Sequence, residues 1–228
     1  MQYEYLLFNV IVIIGPLAMS FEQRIRFFTK WKYSVLAIIG GMIPYIVWDS
    51  LVTNRHWFFN PLYTMDMRLL HLPIEEWLFF ITVPYACLFI YENLRVFLPG
   101  HFGGYHIGKE WIRVVQFSLL PVGILFLRSG KEYTGLVLVA LGAYAFLDRQ
   151  LHTNLLLQPR TAVYAGAVVL CTTIFNWYLT ARPVLIYDPQ YQLDIRIITI
   201  PIEDYVYGWG HILLVTILYE YLMRRFRG

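Results

Sequence analysis

Seven stretches of mostly apolar sequence, each close to the length that crosses a bilayer, leave this chain few ways to fold. They cover about residues 4–20, 32–53, 74–92, 111–128, 132–148, 160–181 and 203–223, and a spanning helix takes ~17–25 mainly apolar residues. Inside lipid the backbone must satisfy its own polar groups, so such stretches become helices. The fourth and fifth are parted only by Arg128-Ser-Gly-Lys131, which reads as a tight turn rather than the middle of one long helix. Hydrophobic residues make up 58% of the chain and charged residues 14%, whereas soluble domains have ~45–50% and ~25%. The predicted fold class is therefore an all-α integral membrane protein with seven transmembrane helices. The first stretch has neither a basic lead-in nor a small-residue cleavage site, and is expected to be a retained helix rather than a signal peptide.

The chain also repeats itself at an offset of 128 residues. Tyr63-Thr-Met-Asp-Met-Arg-Leu-Leu-His-Leu-Pro-Ile-Glu-Glu-Trp77 aligns without gaps on Tyr191-Gln-Leu-Asp-Ile-Arg-Ile-Ile-Thr-Ile-Pro-Ile-Glu-Asp-Tyr205, and Tyr91-Glu92 then meets Tyr219-Glu220. The first three spans map onto the last three, with the fourth left as a connector: residues 1–95, 96–130 and 131–228. Three spans plus one is an even number, so both halves enter the membrane from the same side. The expected layout is two parallel three-helix repeats joined by a connector helix, 3+1+3. Both Pro-Ile-Glu motifs then lie at one depth and can contribute to one site.

Of the basic residues, twelve gather on one side (Arg24, Arg26, Lys30, Lys32, Arg95, Lys109, Arg113, Arg149, Arg160, Arg224, Arg225, Arg227) and six on the other. The positive-inside rule puts the larger set and the C-terminus in the cytoplasm of a cell-membrane protein. The N-terminus and both motifs are then outside. The net charge of +3 is scattered, with no cluster suited to nucleic acid. Cys87 and Cys171 lie within apolar runs and read as small buried hydrophobes.

Each motif has the form Asp-x-Arg-x4-Pro-Ile-Glu-(Glu/Asp): Asp66, Arg68, Pro73, Glu75, Glu76 in the first half and Asp194, Arg196, Pro201, Glu203, Asp204 in the second. Proline followed by acids also suits an ordinary helix start. Duplication at equivalent places and the apolar lead-ins 69–72 and 197–200 favour a site, because acids within a membrane are costly and are functional candidates by default. A cluster of carboxyls split by desolvation, mutual repulsion, the helix amino terminus and Arg68 or Arg196 can hold one group as acid and another as base. Neighbouring helical residues point ~100° apart, and the expectation is that Glu75 and Glu203 face inward together with Glu76 and Asp204 as partners. Asp49 and Asn176, near-equivalents in the second and sixth spans, either pack helices together or support the carboxyls. Glu92 and Glu220, at the far ends of the same helices, are expected to be solvated near Arg95 or Arg224. Trp48, Trp57, Trp77, Trp177, Tyr205, Tyr207 and Trp209 gather toward the motif side. They suit an interfacial aromatic belt, with faces that also stabilise cations.

No lysine lies inside a span, Lys32 standing only at the edge of the second, so a retinal Schiff base has no nucleophile. Gly100-His-Phe-Gly-Gly-Tyr-His-Ile-Gly108 lacks the strand–turn–helix context of a dinucleotide site. His71 faces Thr199 in the repeat, against a symmetric metal site.

Paired Pro-x-Glu-(Glu/Asp) motifs in a duplicated three-span unit resemble the small membrane lycopene cyclases, in their fused single-chain form. The resemblance covers nearly the whole chain, and Pro73, Glu75, Glu76, Pro201, Glu203 and Asp204 match the family's motif positions. It implies a cofactor-free, metal-free, non-redox cyclisation of the linear ends of lycopene to β-ionone rings, with the substrate drawn from membrane lipid. The alternatives are a proton-coupled 3+1+3 transporter, which would need a polar cavity lined by several helices, and a carotenoid-binding protein without turnover. Oligomeric state is left open by the sequence.

Overall fold

The computed structural model describes residues 2–98 and 109–226; the glycine-rich stretch 100–108, with His101 and His106, lies outside them. Among the described residues are seven α-helices: α1 (Glu4–Met19), α2 (Trp31–Val52), α3 (Ile74–Phe97), α4 (Lys109–Arg128), α5 (Glu132–Gln150), α6 (Pro159–Ala181) and α7 (Ile202–Phe226). Six short strands join them: β1 (Trp57–Phe59), β2 (Arg68–Leu69), β3 (Leu72–Pro73), β4 (Leu185–Tyr187), β5 (Arg196–Ile197) and β6 (Ile200–Pro201). The turn at 128–131 forms as expected, with Gly130 at φ +84°, a conformation that costs glycine little.

Phe27–Val52, Ile74–Phe97 and Pro159–Ala181 are long and apolar enough to cross a membrane by length and composition. Their outward faces carry aliphatics such as Val35, Ile39, Ile43 and Val47 on α2 and Leu170 and Ile174 on α6. The interior, by contrast, contains Asn9, Asp49, Glu75, Glu76, Asp148, Glu203 and Asp204. Such an arrangement inverts the ordinary soluble pattern.

The repeat is expressed in the packing. α1 lies against α3 as α5 lies against α7. β1 and β4 pair antiparallel with Phe58 opposite Ile186, residues 128 apart in sequence, so the local twofold passes through that pair. Two ion pairs flank it: Arg182 bridges to Glu4 at 2.7 Å and Arg55 bridges to Glu132. Each arginine also lies over a tyrosine, Arg182 on Tyr63 at 5.4 Å and Arg55 on Tyr191 at 5.0 Å. All four interactions join one half to the other or buttress such a join.

The pseudo-symmetry is incomplete. α2 closes onto α7 because Gly41 has no side chain; a Cβ there would lie 2.4 Å from Val215 Cγ2. α4 docks on α5 through another glycine contact, where a Cβ on Gly123 would meet the Gly135 carbonyl at 2.8 Å. At the end away from the strands, Glu92 bonds Lys30, Arg95 (3.2 Å) and the Tyr219 hydroxyl (2.7 Å), and Arg95 also bonds Glu220 at 2.7 Å. Arg224 stands 3.9 Å from Glu220. The expectation that Glu92 and Glu220 are solvated is thus corrected: both are buried, because isolated acids at this position would be costly and the basic side chains fold over them.

Candidate active site

Each Pro-Ile-Glu motif is the hinge between a two-residue hairpin and a helix. Arg68 pairs with Pro73 and Leu69 with Leu72; 128 residues on, Arg196 pairs with Pro201 and Ile197 with Ile200. Leu70, His71 and Ile198 turn the hairpins at positive φ. Arg68 Nη1 donates to the His71 carbonyl at 3.2 Å and Arg196 Nη1 to the Thr199 carbonyl at 3.1 Å. Asp194 accepts from Arg196 at 3.3 Å, and Asp66 is exposed. Arg68, Arg196 and Asp194 therefore brace the hairpins, and the two arginines do not act on the motif acids as the sequence led us to expect. Neither arginine bonds a motif carboxyl, because each guanidinium is held by the turn of its own hairpin.

Proline then ends each hairpin and the helix begins. The first acid of each pair turns back to the loop that precedes it. Glu75 Oε1 accepts from the Met65 amide at 2.7 Å, and Glu203 Oε1 from the Leu193 amide at 2.8 Å and the Thr134 hydroxyl at 2.6 Å. The second acid turns into a cavity lined by both halves. Glu76 and Asp204 both line a cavity of about 310 Å³, together with Asp49, Asn176 and a set of aromatic rings. Glu75 and Glu203, expected to meet at the centre, instead fasten loops; Glu76 and Asp204 take the cavity-facing positions. The cause is the pair of backbone N–H groups, which capture the first acids of the helices.

Glu76 Oε2 accepts from the Tyr5 hydroxyl at 2.5 Å. Asp204 Oδ1 accepts from Tyr133 at 2.7 Å, while Oδ2 accepts from Asn176 at 2.6 Å and Tyr187 at 2.7 Å. Asp49 Oδ1 accepts from Tyr207 at 2.7 Å. Asn176 thus supports a motif carboxyl directly, and Asp49 faces the same cavity. Desolvation, then the Asp204 carboxylate beside it, holds the Tyr187 phenol well above its ordinary range, so it stays a proton donor in that bond.

The tyrosines Tyr5 and Tyr133 escaped the sequence reading, although the offset of 128 relates them as it relates Glu76 to Asp204. Taken singly, a tyrosine at the head of an apolar span looks like an interfacial belt residue. Trp57, Leu185 and Tyr187 of the β1–β4 ribbon cover the carboxyl end of the cavity. Away from the carboxyls its wall is mainly apolar, with Val83, Ala86 and Ile90 of α3 and Val168 of α6, and with Thr172 and His211 as polar members. Among the described residues no lysine or arginine lines it.

The sequence pattern of the lycopene cyclases matches residues 2–94 and again residues 130–222. A relative in Arthroderma gypseum, a bifunctional lycopene cyclase/phytoene synthase, is 25% identical over 199 residues, covering 78% of this chain and 33% of that protein. This chain therefore spans about a third of the length of that relative. No solved structure matches it. The doubled match falls on the two halves whose motif acids share one cavity, and the chain belongs to the lycopene cyclase family.

Proposed function

We propose that the chain is a carotenoid cyclase that closes the linear ends of lycopene into β-ionone rings by proton transfer alone. The observation that carries this is the cavity itself: two motif acids, one from each half, open into a largely apolar, aromatic-walled space whose described lining includes His211 but no lysine or arginine. A hydrocarbon has no polar group to recognise. What it needs is shape, a proton donor, a proton acceptor and exclusion of water from the cation.

The chemistry balances without oxidant or reductant. A carboxylic acid adds a proton to the terminal double bond, leaving a tertiary cation. The neighbouring double bond attacks it, forming the ring carbon–carbon bond and moving the positive charge to the next ring carbon. Loss of a ring proton to a carboxylate then restores a double bond inside the ring. We assign Glu76 as donor, since its Oε1 is free of protein partners among the described residues, and Asp204 as acceptor, since three donors hold it as an acceptor on both oxygens. Trp57, Phe79 and Tyr207 line the space between and offer π faces to the passing cation. Glu75, Glu203, Pro73 and Pro201 set the start of the helices that carry the two acids, and Asp49 adds a third carboxyl to the pocket.

On the same reading the chain is integral to the cell membrane, with the motif face and N-terminus outside and residues 96–130 connecting parallel repeats 1–95 and 131–228. The apolar exterior of α2 and α6 supports it. A proton-coupled transporter would need a polar path through the cavity; beyond the carboxyl end the lining is mainly apolar, with Val83, Ala86, Ile90 and Val168 around Thr172 and His211. Expression in cells that accumulate lycopene tests the proposal. Pigment should move from red toward orange-yellow as rings form, and unchanged pigment with the chain present in the membrane would refute it.

A further inference from the structure

The two halves of the molecule imply two grooves leading to the carboxyls, one between α1, α3 and α6 and its counterpart between α5, α7 and α2. Among the described residues only the first is open. Its wall carries Pro16, Thr172 and Gly208. Their repeat counterparts are Tyr144, Tyr45 and Phe80, at an offset of 128 residues, or of 127 for the α2–α6 pair. All three are large aromatics. Tyr45 and Phe80 are buried with ring centres 6.1 Å apart, Tyr144 lies 6.3 Å from Tyr45, and the space left there is about 40 Å³.

The helices repeat the asymmetry. On the closed side Gly41 lets α2 approach Val215. On the open side the matching positions are Val168 and Cys87, and both line the cavity. At the carboxyl end the lining is Trp57, Leu185 and Tyr187 of the β1–β4 ribbon, which stands across the path of a long chain. Ile11, at 56% exposure, lies on the open side among the lining residues.

We infer that a polyene enters from the α1/α3/α6 side only and presents one end per binding event. This inference rests on the cyclase reading and deepens it. A two-ringed product then requires the one-ringed intermediate to leave and return end for end. Tyr45, Phe80 and Tyr144 are the residues that close the second route, and Pro16, Thr172 and Gly208 the ones that keep the first open.

The test uses the full chain in liposomes, with labelled lycopene chased during the first turnover by an excess of unlabelled lycopene. Label reaching the two-ringed product should fall by the same factor as the dilution and remain in the one-ringed compound. A chain that stops at one ring agrees with the inference as well. Labelled two-ringed product unaffected by the chase would overturn it while leaving the cyclase reading intact; absence of any ring would sink that reading and this inference together. As a second measurement, Gly208→Leu fills the open groove opposite Thr172. It should abolish both ring closures while membrane accumulation is unchanged, and full activity in that variant would overturn the single entrance.

Discussion

Glu75 and Glu76 are adjacent, chemically alike and equally hidden, yet the structure predicts opposite outcomes when each is changed to glutamine. In Glu75→Gln the amide oxygen can still accept from the Met65 N–H that Glu75 Oε1 accepts at 2.7 Å. What is lost is the charge assistance of one hydrogen bond, on the order of 1–2 kcal/mol of stability. Ring formation should continue within a few-fold of the parent. In Glu76→Gln the Tyr5 hydroxyl, now 2.5 Å from Oε2, can still donate to the amide oxygen, so folding should survive. The proton on the cavity side is gone, however. General acid catalysis contributes ~10²–10⁴-fold, about 3–5 kcal/mol in the barrier. The loss should therefore bring pigment conversion to background. The assay is chromatography of carotenoids from lycopene-accumulating cells, normalised to chain in the membrane fraction by immunoblot. Activity in Glu76→Gln together with a dead Glu75→Gln, both at normal abundance, would refute the assignment and restore the inward pairing of Glu75 with Glu203.

The repeat-related tyrosines make a companion pair. Tyr5→Phe removes the only hydrogen bond to Glu76 Oε2 among the described residues, while Tyr133→Phe removes one of three on Asp204. The Tyr5 bond meets a neutral acid before proton transfer and a carboxylate after it, and a bond to a charged group is worth ~1.5–3 kcal/mol, so initial rates should fall at least about ten-fold in Tyr5→Phe and less in Tyr133→Phe; equal losses would count against the inequality of the two sites. Gly41→Leu forces a side chain into the 2.4 Å gap to Val215 and should cost ~1–3 kcal/mol by overpacking. A lowered thermal midpoint in detergent, partly recovered by Val215→Ala, checks it.

The helical plan was legible in the sequence because apolar run length and a gapless repeat are both one-dimensional properties. Seven spans read from the chain correspond to α1–α7 within a few residues at each end. Charged residues were harder to place. Arg68 and Arg196 looked like electrostatic partners of the motif acids, but with Asp194 they brace two-residue hairpins whose existence no periodicity announces. Glu75 and Glu203 were expected at the centre because nothing local reveals that the amides of Met65 and Leu193, ten residues earlier, point at them. Glu92 looked solvated because its cover, Lys30 and Tyr219, comes from distant parts of the chain. Tyr5 and Tyr133 were within reach of the same offset that exposed the acids; they were passed over because a lone tyrosine carries no chemical alarm.

The paired contacts Glu4–Arg182 and Glu132–Arg55 have a bearing on ancestry. Each half places an acid at the head of its first helix and an arginine just beyond its second, and each grips the complementary group of the other. Patch meeting counter-patch in both directions is how a twofold homodimer associates. A half-length ancestor would have carried both sides of its own interface, and fusion would have added only the tether. Divergence then made the union permanent. The open groove takes Pro16 from one half and Thr172 and Gly208 from the other, a combination that no homodimer of either half can assemble.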